Sequence, residues 1–514
     1  MNFGYDKRCA SRGGASDSSQ MSNVLSHDYY VAVQEEVCVK EEAAPALDAV
    51  PFADTKDSVI AIINGKLVNS EEILESDILV EGGKITKIEK NLEIPEGAKV
   101  IDAQDRFVLP GGVDYGTRIL SREFTDSDGV AERTKSFILG GITTIVDSIQ
   151  SDDFEKSFEF LKVLKDSENG FYCDLSVKLH VPEWNDETEA VVEKSATEFG
   201  VRSFHVNPEK VSDEELLELG RVVAGVGGVL CVDAVTGSED TRTPAEDIEE
   251  GLIRRVCSLA HQVDVSVFFL NVMYSSTLEL VLEFQEKGLR VYADLLTDLE
   301  NLKELPLDGD NRLLASKSRG KPTQDESGDE SEDWMSLLYT ELVLPEKLDI
   351  SRFVDLTSSN PAKLLNLYPS KGCLRVDSDA DIVIWDPMRS STLSPSTSSA
   401  FNVGKEIDVF GVPEFVLLGG TVIVADSQLR GINCLGSLLA PPPHPATDRE
   451  STRSAVQRSD RPGCPSQEVK KKPWDKKKCV SQGEIFAKEM GIHQRPLSAH
   501  GVRNQNDSTF STFY

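Results

Sequence analysis

Long apolar runs and histidine are both scarce in this sequence. No apolar run approaches the roughly 18 residues that a helix needs to cross a bilayer, and the polar segment Met1–Gln20 lacks the apolar core of a signal peptide. We therefore expect a soluble, intracellular protein without membrane insertion. Imidazole, a frequent metal ligand, is supplied by only seven residues in 514, namely His27, His180, His205, His261, His444, His493 and His500.

Cysteine is present but never closely paired along the chain. The nine cysteines are scattered, odd in number and nowhere arranged as C-x-x-C. Secreted disulfide frameworks and structural zinc sites both depend on such pairing. The pattern therefore indicates reduced thiols in a cytosolic protein, and we expect Cys173, Cys231 and Cys257 to be buried in the core.

Acidic residues outnumber basic ones, and the excess is unevenly distributed. The chain carries 54 Lys and Arg against 87 Asp and Glu, a net charge of −33. Residues 430–514 contain 14 basic and 8 acidic residues, a net of +6, which leaves −39 for residues 1–429. A strongly acidic body repels nucleic acid and anionic membranes, so we expect neither as a partner. The basic tail is suited to an acidic protein surface.

Composition divides the chain into four regions. Residues 1–57 show no sustained period and are predicted to be disordered. Short alternating apolar runs between Val59 and Val108 are typical of strands. From Gly111 to about Tyr368, strand-like runs alternate with helical stretches, which favours an α/β fold with a parallel sheet closed by helices. Strand patterns return up to residue 429, and residues 430–514 read as a disordered basic tail.

The segment Leu109–Arg118 carries the most specific motif. It contains Pro-Gly-Gly and then Asp114-Tyr115-Gly116-Thr117-Arg118. This resembles the turn that opens the barrel in cyclic amidohydrolases, where Asp-x-His-x-His follows Pro-Gly-Gly. Similar resemblances to dihydropyrimidinase-type proteins occur at residues 62–68, 77–85, 100–103, 357–363, 366–369 and 378–387. Within that superfamily the chain is most similar to the collapsin response mediator proteins, the non-enzymatic dihydropyrimidinase-related branch, and among those to a divergent invertebrate member.

The resemblance implies a particular architecture. It predicts an amidohydrolase-type (β/α)8-like barrel over residues 110–368, and a small β-sandwich assembled from residues 58–109 and 369–429. Each flank offers too few strands to cover its own apolar face. The segment after Asp294 is shorter than in the family by several dozen residues and includes an acidic stretch at 321–333. The barrel could therefore be complete or incomplete.

The family's metal-binding positions are occupied by other residues here. The resemblance places two imidazoles at Gly116 and Arg118, the bridging carbamylated lysine at His205, and two further imidazoles at Asp233 and Asn271. Arginine has no lone pair to donate, and glycine has no side chain. His205 and Asp233 each allow a structural interpretation, as hydrogen-bonded or solvated side chains at strand ends. The family's catalytic tyrosine falls at Lys210.

These replacements predict a chain without hydrolytic activity. Two metals lower the pKa of a water molecule and stabilise the oxyanion, and each effect contributes several kcal/mol. No Gly-x-Ser-x-Gly elbow offers a replacement nucleophile. We therefore predict no cofactor and no catalytic or metal-binding residue. Two alternatives stay open: a metal-dependent cyclic amide hydrolase, and a pseudoenzyme that senses a small molecule in a pocket near Arg118 and Asp233.

The resemblance also implies partners. It predicts a cytoplasmic scaffold of axons and other neuronal projections that binds tubulin or microtubules and adaptor or motor proteins and supports axon outgrowth and guidance. It further implies a homo-oligomer, usually a tetramer, or a hetero-oligomer with paralogues. The tail offers a matching basic cluster, although a solvated linker is an equally good interpretation. The candidate tubulin contacts are Lys470, Lys471, Lys472, Lys476, Lys477 and Lys478.

A modification site is also predicted in the tail. Ser498 follows Arg495 at the spacing that basophilic kinases favour. A phosphate there would subtract up to about two charges from a basic segment. Ser498 is therefore a candidate phosphosite, although an exposed serine near an arginine is common.

Overall fold

The computed structural model describes residues 58–117, 119–120, 127–151, 153–167, 170–234, 244–295, 312–315, 334–393, 407–430 and 435–445. Several predicted sites lie outside these ranges. They are Arg118, Ser498 and the six candidate tubulin contacts, Lys470, Lys471, Lys472, Lys476, Lys477 and Lys478. The N-terminal segment 1–57 and the tail beyond residue 445 also lie outside the described residues.

Two β-sheets organise the described residues. The first sheet has nine strands, which come from both flanks of the chain. They are β1 (Ile60–Val68), β2 (Ile73–Glu81), β3 (Lys84–Glu89), β4 (Lys99–Asp102), β5 (Phe107–Pro110), and later β14 (Ile382–Leu393), β15 (Ile407–Leu418), β16 (Thr421–Ala425) and β17 (Gln428–Leu429). The second has eight: β6 (Gly112–Thr117), β7 (Ile142–Ile149), β8 (Asp174–Val181), β9 (Ser203–Val206), β10 (Val229–Asp233), β11 (Ser266–Val272), β12 (Val291–Leu295) and β13 (Leu313–Ala315).

The second sheet is the predicted barrel. Its strands are all parallel and lie in chain order from β6 to β13. Within the described ranges β6 and β13 do not pair with each other, so the sheet is nearly closed. The short segment Asp355–Ser359 lies against both of these end strands. The prediction of an amidohydrolase-type barrel is confirmed.

Helices follow the barrel strands, as the alternation of patterns predicted. They are α1 (Ser127–Leu139), α2 (Phe154–Lys165), α3 (Asp186–Glu198), α4 (Asp213–Gly225), α5 (Ala245–Val263) and α6 (Ser275–Glu286), then α7 (Trp334–Leu338), α8 (Ile350–Val354) and α9 (Asn360–Leu364). Two π-helical segments, Tyr339–Val343 and Asp355–Ser359, continue α7 and α8. Asn185 and Ser212 begin α3 and α4 with capping boxes. Among the described residues, no helix is both long and apolar enough to cross a membrane.

The period of two along the strands separates the two faces of the barrel. On β8, Leu175, Val177 and Leu179 belong to the apolar cluster that packs under the helices. A second buried cluster fills the barrel interior and includes Tyr115 and Phe268, whose rings meet edge to face at 4.7 Å between centroids. Cys173, Cys231 and Cys257 are fully buried free thiols, as predicted.

The two flanks of the chain join in one mixed sheet. Strand β14, which follows the barrel, pairs antiparallel with β5, which precedes it, and β5 pairs with β1. The buried cluster of this sheet draws residues from both flanks, including Ile60, Val108, Ile382 and Leu417. Neither flank has the strands to bury this face alone. The prediction that both flanks contribute to one β-structure beside the barrel is confirmed, as a single mixed sheet of nine strands; the bounds of the predicted β-sandwich domain stay a prediction.

An aromatic cluster connects this sheet to the barrel. Trp385 on β14 is fully buried. Its ring lies 5.7 Å from that of Tyr339 and 5.9 Å from that of Phe353, measured between centroids. Gly411 on β15 is packed so closely that an added Cβ would lie 2.6 Å from the indole nitrogen. The two parts of the fold therefore share one packed core at this point.

The segment 435–445, hereafter the C-terminal strap, packs against the barrel. Gly436 exchanges backbone hydrogen bonds with Phe171, and the Leu439 N–H donates to the Leu175 carbonyl at 2.7 Å. Gly200 lies so close to the strap that an added Cβ would come within 2.3 Å of Ala440. The strap thus runs past the amino ends of the barrel strands. The predicted disordered tail spans residues 430–514, but these contacts hold residues 435–445 of it against the barrel.

A buried ion cluster ties the strap, the barrel and the flank sheet together. The Lys371 ammonium lies 2.7 Å from Asp174 Oδ2 on β8 and also pairs with Asp381, just before β14. Asp174 Oδ1 accepts a hydrogen bond from the Ser437 N–H of the strap at 2.9 Å. Burial alone would lower the pKa of Lys371, but the carboxylates of Asp381 and Asp174 outweigh it and raise this pKa well above its usual value.

Candidate functional site

A polar pocket opens at the carboxyl ends of the barrel strands, where barrel enzymes place their active sites. Six consecutive strands, β6 to β11, or the residues just after them, supply its lining. Its free interior is on the scale of about one water molecule. The lining residues are Gly116, Ser148, Gln150, Lys178, His205, Asp233, Leu270 and Asn271. Four of the five predicted positions, Gly116, His205, Asp233 and Asn271, are therefore brought together here.

The carboxylate of Asp233 is the hub of these side chains. His205 Nε2 lies 2.9 Å from Asp233 Oδ2, and Asn271 Nδ2 donates to Asp233 Oδ1 at 3.2 Å. Asn271 holds this position with a left-handed backbone, at φ 59°, which asparagine tolerates better than most residues. Both carboxylate oxygens are thus engaged by neighbouring strands. His205 and Asp233 are thus hydrogen-bonded side chains at strand ends, which is the structural interpretation given for both in the sequence.

Lys178 is a central residue that sequence reasoning did not identify. It lies on β8, is only 4% exposed, and donates from Nζ to the Tyr115 carbonyl at 2.5 Å. Its ammonium also lies 5.1 Å from the centroid of the Tyr115 ring. Ser176, Lys178 and His180 alternate with apolar residues along β8, so a charged residue in an otherwise buried strand was the available signal. Whether the Lys178 side chain points into the barrel depends on the register of its strands, which a local sequence pattern does not contain.

Beneath the pocket, the hydroxyl and thiol groups stay neutral. The Tyr115 hydroxyl forms a hydrogen bond with Ser203 Oγ and lies 4.0 Å from Cys231 Sγ. Burial raises the pKa of Tyr115 well above its usual value. Burial likewise raises the pKa of Cys231 to about 12, although the nearby Lys178 charge opposes the shift. Since the thiolate is the reactive form of cysteine, Cys231 is a core residue and not a nucleophile.

These residues do not fit a divalent metal. A metal requires converging lone pairs, whereas Gly116 offers none and the Lys178 ammonium adds a positive charge. Asn271 directs its amide N–H groups at Asp233, and His205 Nε2 points at the same carboxylate. In the part of the chain that the structure describes, no group of three His, Cys, Asp or Glu side chains is placed to hold an ion. Arg118 lies outside the described residues.

The remaining position expected from the resemblance lies away from the pocket. Lys210, where the family has its catalytic tyrosine, is exposed in the turn after β9. Its backbone N–H donates to the Asn207 carbonyl at 3.1 Å. Lys210 does not line the pocket. It is therefore an exposed lysine that does not contribute to the pocket wall.

Comparison with known proteins agrees with this architecture. Residues 107–422 match the family model described as "Amidohydrolase family". A D-hydantoinase crystal structure superposes with a TM-score of 0.63 at 24% identity, covering 75% of this chain and 100% of the other. The dihydropyrimidinase of Brevibacillus agri NCHU1002 gives a TM-score of 0.62 at 22% identity, covering 75% and 99%. At these identities the structural likeness concerns the fold alone.

The proteins similar to this chain in sequence include both dihydropyrimidinases and dihydropyrimidinase-related proteins. Dihydropyrimidinase 2 of Caenorhabditis briggsae is 28% identical over 75% of this chain and 88% of its own length. Human dihydropyrimidinase-related protein 5 is also 28% identical, over 72% of this chain and 79% of its own. Protein unc-33 of Caenorhabditis elegans is 25% identical over 74% and 52%.

The fold and the pocket together define a parallel α/β barrel of the hydrolase type, with a flank-built sheet beside it. The family match spans more than half of the sequence. The chain belongs to the amidohydrolase family. Its relatives include both dihydropyrimidinases and dihydropyrimidinase-related proteins.

Proposed function

We propose that this chain is a non-hydrolytic amidohydrolase-family protein that acts as a cytoskeletal scaffold. The observation that carries the non-hydrolytic part is the closed set of contacts among His205, Asp233 and Asn271, next to the buried Lys178 ammonium. In this arrangement both carboxylate oxygens are engaged by hydrogen bonds within the protein. A metal would have to displace these donors and accept a buried positive charge beside it.

The energetic argument supports the same conclusion. A buried ammonium a few ångströms from a dication is repelled by several kcal/mol even at an effective dielectric constant of about 20. Gly116 supplies no ligand atom to offset this repulsion, and Asn271 directs its amide N–H at Asp233. Without metals, the activation of water and the clamp on the oxyanion are both lost.

Metal content and turnover test the non-hydrolytic proposal. We expect purified protein to contain far less than one equivalent of zinc and to give no turnover of dihydrouracil or hydantoin above the rate without enzyme. Inductively coupled plasma mass spectrometry and an absorbance assay measure the two quantities. Dihydropyrimidinase 2 of Caenorhabditis briggsae, prepared in parallel, is the comparison protein. Stoichiometric zinc together with turnover would establish the hydrolase alternative.

The scaffold part of the proposal rests on charge and relationship. We infer a cytoplasmic protein of axons and other neuronal projections that assembles as a tetramer or with paralogues, and binds tubulin and adaptor or motor proteins. Relationship to dihydropyrimidinase-related protein 5 and unc-33 supports this assignment. The net charge of +6 over residues 430–514, against −39 for the rest, makes the tail the suitable contact for an acidic surface.

Removal of the tail charges should weaken microtubule binding. Changing all six candidate lysines to Gln is expected to lower co-sedimentation with microtubules by about tenfold or more at low salt, and to flatten its dependence on salt, because exposed charges act over about 8 Å at physiological ionic strength. The lysines are Lys470, Lys471, Lys472, Lys476, Lys477 and Lys478.

A control variant of equal charge change separates local contact from net charge. Six exposed lysines of the folded body are changed to Gln instead, and this variant should keep most of the binding. They are Lys87, Lys90, Lys156, Lys162, Lys210 and Lys347. Unchanged co-sedimentation of the tail variant at both low and physiological salt would contradict the tail assignment. Equal losses in both variants would show that net charge alone matters.

A further inference from the structure

Two residues that line the pocket each carry a buried polar atom without a hydrogen-bond partner within the described residues. These atoms are His205 Nδ1 and Ser148 Oγ. Both side chains are more than nine-tenths buried, with His205 6% and Ser148 3% exposed, and both line the pocket. A buried polar group without a partner costs free energy, and native proteins seldom leave one unsatisfied. Two such atoms around one opening indicate a site that a ligand completes.

The charges of the lining select the kind of ligand. Lys178 brings a positive charge to the pocket wall. The one carboxylate of the lining, Asp233, forms hydrogen bonds with His205 and Asn271 through its two oxygens, so its lone pairs are engaged within the protein. The hydroxyl of Ser148 can donate a hydrogen bond, and each ring nitrogen of His205 donates or accepts according to the tautomer of the ring. Donors and a cation around a small opening match an oxyanion.

The size of the pocket limits this oxyanion to a small group. The interior has room for little more than about one water molecule. Gly116 adds no side chain to the wall. A ring-sized molecule does not fit inside, whereas one oxygen of a carboxylate can take the place of a water molecule.

We propose that this pocket binds a carboxylate-type oxyanion, with the anion held by Ser148 and His205 under the charge of Lys178. The ligand is either a free small acid or a carboxylate carried by a larger molecule. The inference goes beyond the scaffold role, and it shares with the proposed function only the requirement that no metal fills the site. Tubulin binding can fail without affecting it.

The proposal is tested by direct binding of acetate and formate to the full chain. Ligand-observed NMR titration should give saturable binding of both acids to the wild-type protein. The Ser148→Ala variant removes a hydroxyl that has no partner in the described residues, so it should fold normally and bind acetate about tenfold more weakly. Lys178→Met should abolish binding. Lys210→Met, which changes an exposed lysine away from the pocket, should bind as the wild type does.

A neutral analogue and a longer acid complete the experiment. Acetamide has the shape of acetate without its charge and should not compete with it. If butyrate binds at least tenfold more tightly than acetate, the natural ligand is a carboxylate that is part of a larger molecule. If acetate binds as well as butyrate, the natural ligand is a small free acid. Equal acetate affinity in Ser148→Ala and wild-type protein, competition by acetamide, or no saturable binding would each overturn the proposal. Metal analysis of the same samples reports separately on the non-hydrolytic function.

Discussion

Replacement of Lys371 by Met is expected to lower the free energy of unfolding by about 3–5 kcal/mol, because it leaves buried carboxylates without their cation. Lys371 is 6% exposed and pairs with Asp174 on barrel strand β8 and with Asp381 just before strand β14 of the other sheet. The strap should loosen with it, since Ser437 donates to the same Asp174. Urea denaturation measures the global loss, and hydrogen exchange of the strap amides measures the local one.

A matched control uses an exposed lysine pair. Glu283 near the end of α6 and Lys287 just beyond it form an ion pair with about half of each side chain exposed, and Lys287→Met should cost under about 0.5 kcal/mol. A loss below about 1 kcal/mol for Lys371→Met would show that the carboxylates find other partners.

The contribution of Lys371 has a defined dependence on pH. Its pKa in the folded protein is raised, by the carboxylates of Asp381 and Asp174 against the opposing effect of burial. The stability that it supplies is therefore fully present below the ordinary lysine pKa of about 10.4, and is lost only as the pH rises through the higher folded value. The difference between wild type and Lys371→Met should thus stay constant from about pH 7 to pH 9.

Truncation of Trp385 to Ala should cost about 3–5 kcal/mol through loss of packing and creation of a cavity. The side chain is fully buried between Tyr339, Phe353 and the backbone of Gly411. Trp385→Phe should cost much less, because the indole nitrogen has no hydrogen-bond partner in the described part of the chain and Phe keeps most of the ring contacts. Urea denaturation followed by circular dichroism measures both losses.

Trp184 provides the comparison for this substitution. It is only partly buried and donates from its indole nitrogen to Glu218 at 3.3 Å. Trp184→Ala should cost about 1 kcal/mol. Similar losses for Trp385→Ala and Trp184→Ala would argue against a shared core between the flank sheet and the barrel.

The sequence allowed the barrel and the position of its mouth to be predicted, because both follow from local patterns. The strand that ends in Asp233 and the motif at Gly116 are readable from nearby residues alone. The hydrogen bonds of Asp233 to His205 and Asn271 join three strands, so their geometry depends on barrel register, which no local pattern contains. Lys178 was missed for the same reason.

The C-terminal strap was missed because its partners are distant in sequence. The proline-rich segment after Ala440 has the composition of a flexible exit from the fold. Its order comes from small residues that lie more than 200 positions earlier, among them Gly200 and Gly227, where an added Cβ would clash with the strap. The composition of the strap indicates flexibility when the strap is considered alone. It contains no information about the barrel surface against which the strap packs.

The buried ammonium of Lys178 limits what a single substitution could introduce into this pocket. Four positions at which the family resemblance places metal ligands face one pocket here. An imidazole placed at Gly116 or Asn271 would lie near the Lys178 ammonium, which would compete with a metal ion for its lone pair. A metal site at the carboxyl ends of these strands would therefore require replacement of Lys178 together with the ligand substitutions.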